Sequence, residues 1–389
     1  MTARGISVTS RSRDGSEGDR ARPASAGRHA AGADRERNNF NMLRLIAASL
    51  VILSHGVELP TGLAARDWML QATGRSFAWY GVNIFFVISG YLVYLSWQRR
   101  PSLAAFVWAR FLRIMPGLFC MLVVSVLILG AAFSSLAFFD FLTHPQTRIY
   151  FFGSLSIVFV KYELPGVFTH NPLSAVNGSL WTLRYEILCY AGVALMGIAH
   201  LLADKRKSAW ILTFCVAVEV CILVGFELIG LDRDGSRLGM LYELARLGMC
   251  FHLGGLYARF DERIRLRLDV LAGAVVATVL SIGTPLFVPV ANITIAYAAF
   301  WFALVPSGRW IAWMRNAPDY SYGTYIYAFP VQQALIAAIP GVSPVTVILG
   351  GLGVTLLFAA LSWHLVERPM LQLKNAPFLA MRRKMPAGP

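Results

Sequence analysis

Residues 118–133 read LFCMLVVSVLILGAAF and contain no charged side chain. A helix of about 20 predominantly apolar residues crosses the hydrocarbon core of a bilayer, and residues 268–290 form a second long apolar run. Over the 389 residues, 57% are hydrophobic and 14% are charged, whereas a soluble domain carries about a quarter charged residues. The sequence therefore predicts an all-α, polytopic membrane helix bundle.

The apolar runs predict about ten transmembrane helices, each near the length that a bilayer requires. Residues 1–38 have almost no large apolar side chain, which predicts a disordered basic tail. The membrane domain is expected over 39–370 and a C-terminal tail over 371–389. Residues 134–179 are expected to form an interfacial or re-entrant stretch. The ten spans are predicted at 41–58, 77–97, 116–133, 180–203, 208–230, 239–258, 269–288, 289–306, 320–339 and 345–366.

The charge distribution predicts the orientation. With the N-terminal tail in the cytoplasm, the cytoplasmic segments hold 26 Lys and Arg and the opposite segments hold 6. This asymmetry follows the positive-inside rule and predicts a multi-pass protein of a bacterial inner membrane with both termini cytoplasmic. The net charge of +14 does not indicate nucleic-acid binding, because no basic groove with interleaved aromatic residues is present. The five cysteines lie in or beside apolar segments without a CxxC pair, so neither a disulfide framework nor a metal site is expected.

Two ionisable residues lie in the first span, where such side chains are costly and indicate function. Arg44 and His55 are eleven residues apart, which places them about 16 Å apart and on nearly the same helix face. An arginine can hold a phosphate or a carboxylate, and a histidine can accept a proton near neutral pH. The structural alternative is that Arg44 reaches the inner headgroups while His55 bonds a neighbouring helix.

Three further charged residues are candidates. Arg110 and Arg113 share a helical face and suit an anion such as nucleotide phosphates, although positive-inside charge explains them as well. Glu186 is predicted near the depth of His55, where a carboxylate could orient the imidazole and raise its basicity. The alternative for Glu186 is neutralisation by Arg184.

Uncharged polar residues could complete a pocket in the bundle. The stretch 81–92, GVNIFFVISGYL, contains Asn83 and Ser89, which could form hydrogen bonds in a polar core. The stretch 320–327, YSYGTYIY, contains Tyr322 and Tyr325. We assign all four to the predicted pocket, with helix packing as the structural alternative.

Six segments together resemble acyltransferase family 3, integral membrane enzymes that O-acylate sugars and related hydroxyl compounds. They occur in the family's order and cover about residues 39–370. The segments are Arg44 with His55, GVNIFFVISGYL, RFLRIMP, LPGVFTHNPLSAVNGSLWTLRYE, YSYGTYIYAFP and VERP.

The resemblance implies a ten-helix domain that uses acyl-CoA, most simply acetyl-CoA, as a cytoplasmic co-substrate, with no bound cofactor. It implies His55 as the catalytic base, assisted by Glu186, and Trp181 as a residue that shapes the pocket. The donor would be engaged by the arginines already described, Arg44, Arg110 and Arg113. The acceptor would be a hydroxyl of an exported or cell-surface carbohydrate or glycolipid. The alternatives are a transporter or flippase of a lipid-linked glycan and a scaffold subunit without chemistry.

Overall fold

The computed structural model describes residues 38–231, 237–260, 263–305 and 317–375. Regular structure in these ranges is helical, without a β-strand. Of the predicted tails, 1–37 and 376–389 lie outside the described residues. The helices are α1 (Phe40–Thr61), α2 (Trp68–Thr73), α3 (Phe77–Arg99), α4 (Leu103–Phe133), α5 (Phe138–Thr143), α6 (Pro145–Leu155), α7 (Leu183–Ile198), α8 (Lys205–Ile229), α9 (Arg237–Phe260), α10 (Leu268–Leu280), α11 (Phe287–Leu304), α12 (Ser321–Ala338) and α13 (Pro344–Gln372).

Within the described ranges, six helices are long and apolar enough to cross a membrane, namely α1, α3, α4, α8, α11 and α13. Each of the ten predicted spans overlaps a helix, but α7 and α10 have only 16 and 13 residues. α9 carries charged residues, and α12 is rich in tyrosine and glutamine. Fourteen residues of α12 are buried, so its polar side chains meet protein rather than lipid. These helices indicate an integral membrane protein, and the count of ten transmembrane helices stays a prediction.

Several helix ends meet on one side of the bundle. This side, here called the basic side, carries the start of α1, the end of α3 and the start of α4. The backbone N–H of Asn39 donates to the carbonyl of Ala303 at 2.9 Å, which brings the end of α11 to this side. A guanidinium N–H of Arg259 donates to the carbonyl of Leu202 at 2.8 Å and holds α9 near the end of α7.

Glycines allow α3 to approach its neighbours at backbone distance. A Cβ atom on Gly90 would collide with the backbone of Phe251 in α9, and one on Gly254 would collide with the carbonyl of Val87. This small-residue packing is the one that membrane helices use, because lipid offers no hydrophobic drive for helices to associate. Gly90 and Gly254 therefore let α3 and α9 pack against each other with their backbones in contact.

The segment after α6 enters the bundle and returns as α7. Asn177 is fully buried, and its side-chain amide donates to the carbonyl of Ile326 at 2.9 Å. In a regular helix that carbonyl would accept from residue 330, but Pro330 has no N–H. Gln333 fixes the same segment by donating to the carbonyls of Leu173 and Ala175, each at 2.7 Å. The helix α7 therefore starts inside the bundle rather than at its surface.

Candidate functional site

A buried ion cluster lies on the basic side. A carboxylate oxygen of Asp319 accepts from Arg44 at 2.7 Å and from Arg113 at 2.8 Å. The other oxygen accepts from the backbone N–H of Ser321 at 3.3 Å and from its hydroxyl. Burial by itself would raise the pKa of Asp319, but the two guanidinium groups outweigh it and hold the pKa well below its ordinary value. Two cations share one anion, so the cluster keeps a net positive charge.

A cavity of about 50 Å³ lies beside this cluster, room for a few water molecules. It brings together six of the side chains proposed from the sequence: Arg44, Ser89, Arg113, Glu186, Tyr322 and Tyr325. Val82, Phe85, Phe86, Ile114, Thr182 and Leu183 complete the lining. The cavity thus places a carboxylate and two guanidinium groups within a mainly apolar wall.

Glu186 faces this cavity because α7 begins deep in the bundle. Its carboxylate accepts a hydrogen bond from Tyr190 and one from Ser89, the latter at 3.4 Å. The preceding turn is held by Tyr325, whose hydroxyl donates to the carbonyl of Ser179 at 2.9 Å. Glu186 therefore lies with the arginines of the basic side.

His55 lies elsewhere, toward the opposite end of α1. Its ring packs edge-on against Phe329 with 5.1 Å between ring centroids. Its Nδ1 atom is 3.7 Å from a carboxylate oxygen of Glu58 and has no hydrogen-bond partner among the described residues. His55 does not line the cavity that Glu186 faces. The described contacts therefore do not pair His55 with Glu186, and the carboxylate beside His55 is Glu58.

Arg110 lies near the cavity without lining it. Its guanidinium carbon is 5.5 Å from the ring centroid of Tyr190 and 5.9 Å from that of Phe106. Its Nε atom is buried without a hydrogen-bond partner among the described residues. Arg110 therefore has a buried N–H donor without a partner among the described residues, and it does not share the contact of Arg44 and Arg113 with Asp319.

Asn83 and Trp181 also lie outside the cavity lining. Asn83 donates to the side-chain oxygen of Asn292 at 2.9 Å and accepts from Arg246, so it belongs to a separate buried network. Trp181 packs against the ring of Tyr185, with ring centroids 5.6 Å apart. The structure thus gives both residues packing environments rather than a place in the cavity wall.

Three carboxylates near the candidate residues were missed from the sequence as site residues: Asp319, Glu58 and Glu367. The side chain of Glu367 is buried, and its Oε1 accepts from Ser362 at 2.9 Å while Oε2 has no partner among the described residues. A π-helical turn over Trp363–Glu367 turns it inward, and such turns are frequent at functional sites. The VERP segment and the HGVE spacing were the available signals for Glu367 and Glu58.

Within the described ranges, His, Cys, Asp and Glu side chains do not converge in groups of three that could hold a metal ion. No solved structure matches the chain.

Comparison with known proteins identifies relatives along most of the chain. An "O-acetyl transferase" of Shigella phage Sf6 is 29% identical over 358 residues, covering 88% of this chain and 98% of the relative. "Nodulation protein 10" of Rhizobium leguminosarum bv. viciae is 26% identical over 393 residues, covering 87% of this chain and 95% of the relative. The model of a family described as an acyltransferase domain matches residues 37–364. The chain therefore belongs to acyltransferase family 3.

Proposed function

We propose that the protein transfers an acyl group, most simply acetyl, from acyl-CoA to a hydroxyl of an exported or cell-surface carbohydrate. The observation that carries this proposal is the buried cavity on the basic side, where guanidinium and carboxylate groups meet inside a membrane domain. Ionisable groups at such a depth are costly and mark substrate sites. Membership of an acyltransferase family favours transfer over the transport alternative.

The donor enters from the basic side, which the charge asymmetry assigns to the cytoplasm. Arg44 and Arg113, which both bind Asp319, are the side chains proposed to contact the anionic donor. A cavity of about 50 Å³ is too small for a thioester arm, so the donor must widen it. From Arg44 the arm extends along α1 toward His55, about 16 Å away along the helix axis.

His55 is the proposed base. It takes the proton of the acceptor hydroxyl, the oxygen attacks the thioester carbonyl carbon, and the carbon–sulfur bond breaks. The departing CoA thiolate takes up the proton that His55 removed, which returns the imidazole to its neutral form. Glu58 replaces Glu186 as the carboxylate proposed to orient the imidazole, because its oxygen is 3.7 Å from Nδ1. Glu186 is proposed to contact the donor in the cavity.

The acceptor is proposed to approach from the opposite side. A cavity of about 630 Å³ opens there, and Pro60, five residues after His55 on α1, lines it. Its wall carries groups that can hydrogen-bond a hydroxyl-rich ligand, namely Ser134, Ser135, Thr169, His170 and Asn171. This composition favours a carbohydrate acceptor over an apolar one.

A comparison of three variants tests these roles. Purified protein in lipid nanodiscs is given labelled acetyl-CoA and an envelope carbohydrate fraction, and transfer is measured for H55A, E58Q and E186Q. A base follows Brønsted behaviour and contributes about 100-fold or more, so H55A should lower kcat by that factor. E58Q should lower kcat less, and E186Q should mainly raise the KM for acetyl-CoA. Undiminished transfer by H55A would rule out His55 as the base, and loss of kcat in E186Q alone would move that role to Glu186.

A further inference from the structure

A second polar cavity lies at the basic side, where the end of α3 meets the start of α4. Its volume is about 240 Å³. Three cationic side chains line it: Arg99 and Arg100 from the end of α3, and Lys374 from the segment after α13. The other lining residues are Leu92, Leu95, Ser96, Ala105, Phe106 and Ala109, so no Asp or Glu of the described chain lines it.

Lys374 is held at this cavity by the chain that precedes it. The indole N–H of Trp108 donates to the carbonyl of Leu373 at 3.1 Å, which fastens the segment to α4. Burial, followed by the positive charges of Arg110, Arg113 and Arg44, lowers the pKa of Lys374 to about 8, against the opposing effect of Asp319. Lys374 therefore lies in a positive potential that nearby carboxylates do not cancel.

Positive-inside charge alone does not account for this arrangement. Arg99 and Arg100 end α3, where the helix dipole favours cations, and both are exposed. That explanation does not extend to Lys374, which is partly buried beside other cations at a cost in solvation. An anion in the cavity would offset the repulsion.

The three arginines already proposed to bind the donor differ in whether a carboxylate binds them. Arg44 and Arg113 both bind Asp319, so part of their charge is used. Arg110 directly follows Ala109 of the cavity wall and lies one turn of α4 beyond Phe106, and it keeps a buried N–H without a partner among the described residues. The cationic side chains that do not bind Asp319 therefore lie near the surface of the basic side, where the donor would enter, rather than at the Asp319 cluster.

We propose that this cavity, the phosphate pocket, binds the phosphate groups of the donor nucleotide through Arg99, Arg100 and Lys374, with Arg110 between the pocket and the Asp319 cluster. The inference rests on the proposed function and deepens it. It divides the donor into a nucleotide half at the surface and a thioester arm in the bundle. The pocket supplies donor affinity and takes no part in the chemical step.

The test compares two donors that differ in the nucleotide. Acetyl-CoA and acetyl-pantetheine carry the same thioester, but acetyl-pantetheine has no phosphates. K374M should raise the KM for acetyl-CoA about tenfold, the usual effect of losing one hydrogen bond to a charged group, and leave kcat unchanged. The KM for acetyl-pantetheine should not change. The double variant R99A/R100A, which alters exposed residues only, should behave in the same way.

The matched control is R206A, which removes an exposed cation on the same side at the start of α8, outside the pocket. It should leave both KM values unchanged. 3′-Phosphoadenosine 5′-diphosphate, the nucleotide half alone, should compete with acetyl-CoA in the wild type and compete more weakly in K374M. Equal changes for both donors, or no change for acetyl-CoA, would overturn the proposal.

Two further measurements distinguish a failure of the phosphate pocket from a failure of the proposed function. Binding of labelled CoA that depends on Lys374 without any transfer would support the pocket and contradict the proposed function. Transfer with a KM for acetyl-CoA that does not depend on Lys374 would support the proposed function and contradict the phosphate pocket. The second measurement uses nanodiscs with and without phosphatidylglycerol. If the pocket binds a lipid phosphate instead, phosphatidylglycerol should be enriched around the protein in a way that depends on Lys374, while the KM for acetyl-CoA is the same in wild type and K374M. This result would also overturn the proposal.

Discussion

Replacing Asp319 with asparagine removes the charge that holds Arg44 and Arg113 together. The two side chains would then lie side by side as buried cations, with at most one neutral oxygen to accept from them. Their hydrogen bonds to Asp319 are 2.7 and 2.8 Å long, and the three side chains are 11–19% exposed. Solvent therefore screens the cluster little.

The magnitude follows from these contacts. A hydrogen bond to a charged group contributes about 1.5–3 kcal/mol, so two bonds contribute about 3–6 kcal/mol. Removing one partner of a buried ion pair costs about 3–5 kcal/mol. We expect D319N to lose about 3–5 kcal/mol of unfolding free energy, and D319N/R113Q to recover part of the loss because one unpaired cation is gone.

The assay is unfolding of the purified protein by a denaturing detergent, followed by tryptophan fluorescence. The control is D269N, which breaks an ion pair with Arg267 in which both side chains are more than 60% exposed, and it should leave the transition unchanged. The pKa of Asp319 is lowered, so its stabilisation is complete above the unfolded value of about 3.9 and is lost progressively as pH falls from there to the folded value. The difference between wild type and D319N should thus be constant from pH 5 to 9. A D319N protein as stable as the wild type would refute the reasoning.

Three further predictions concern packing, the buried loop and the phosphate pocket. G90A should destabilise the bundle, because its Cβ atom would meet the backbone of a neighbouring helix, whereas G192A has open space and should be tolerated in the same melting assay. N177A leaves the carbonyl of Ile326 without its donor and should cost about 1–3 kcal/mol; equal stability of N177A and wild type would contradict this. The KM for acetyl-CoA should rise as pH increases through about 8, where Lys374 loses its proton; K374R should keep a flat profile, and a wild-type profile that is flat to pH 9.5 would count against the pocket.

Local sequence predicted the helices well, because the length and composition of an apolar run are enough to specify a helix in a membrane. The positions of α1 and α3 followed from such runs. The prediction was less accurate for α7 and α10, which have 16 and 13 residues. The start of α7 depends on the buried segment that precedes it, which hydropathy does not describe.

The candidate residues were found because an ionisable side chain in an apolar run is conspicuous. Their grouping was not predictable in the same way. Depth was counted from helix ends assumed to lie at the membrane surface, which placed Glu186 beside His55. The helix α7 instead begins inside the bundle, so Glu186 joins Arg44 and Arg113 at the cavity. Asp319 was overlooked because it lies next to a predicted span rather than within one.

By itself, the amino-acid sequence determined that this chain is a helical membrane protein, and its motifs identified the acyltransferase family. These properties depend on composition, on periodicity and on short segments that stay together along the chain. Only the tertiary structure decided that Asp319 joins two arginines and that Lys374 meets Arg99 and Arg100. These groups come from segments that are distant in sequence. Contacts of this kind depend on how helices pack, and no single stretch of sequence encodes them.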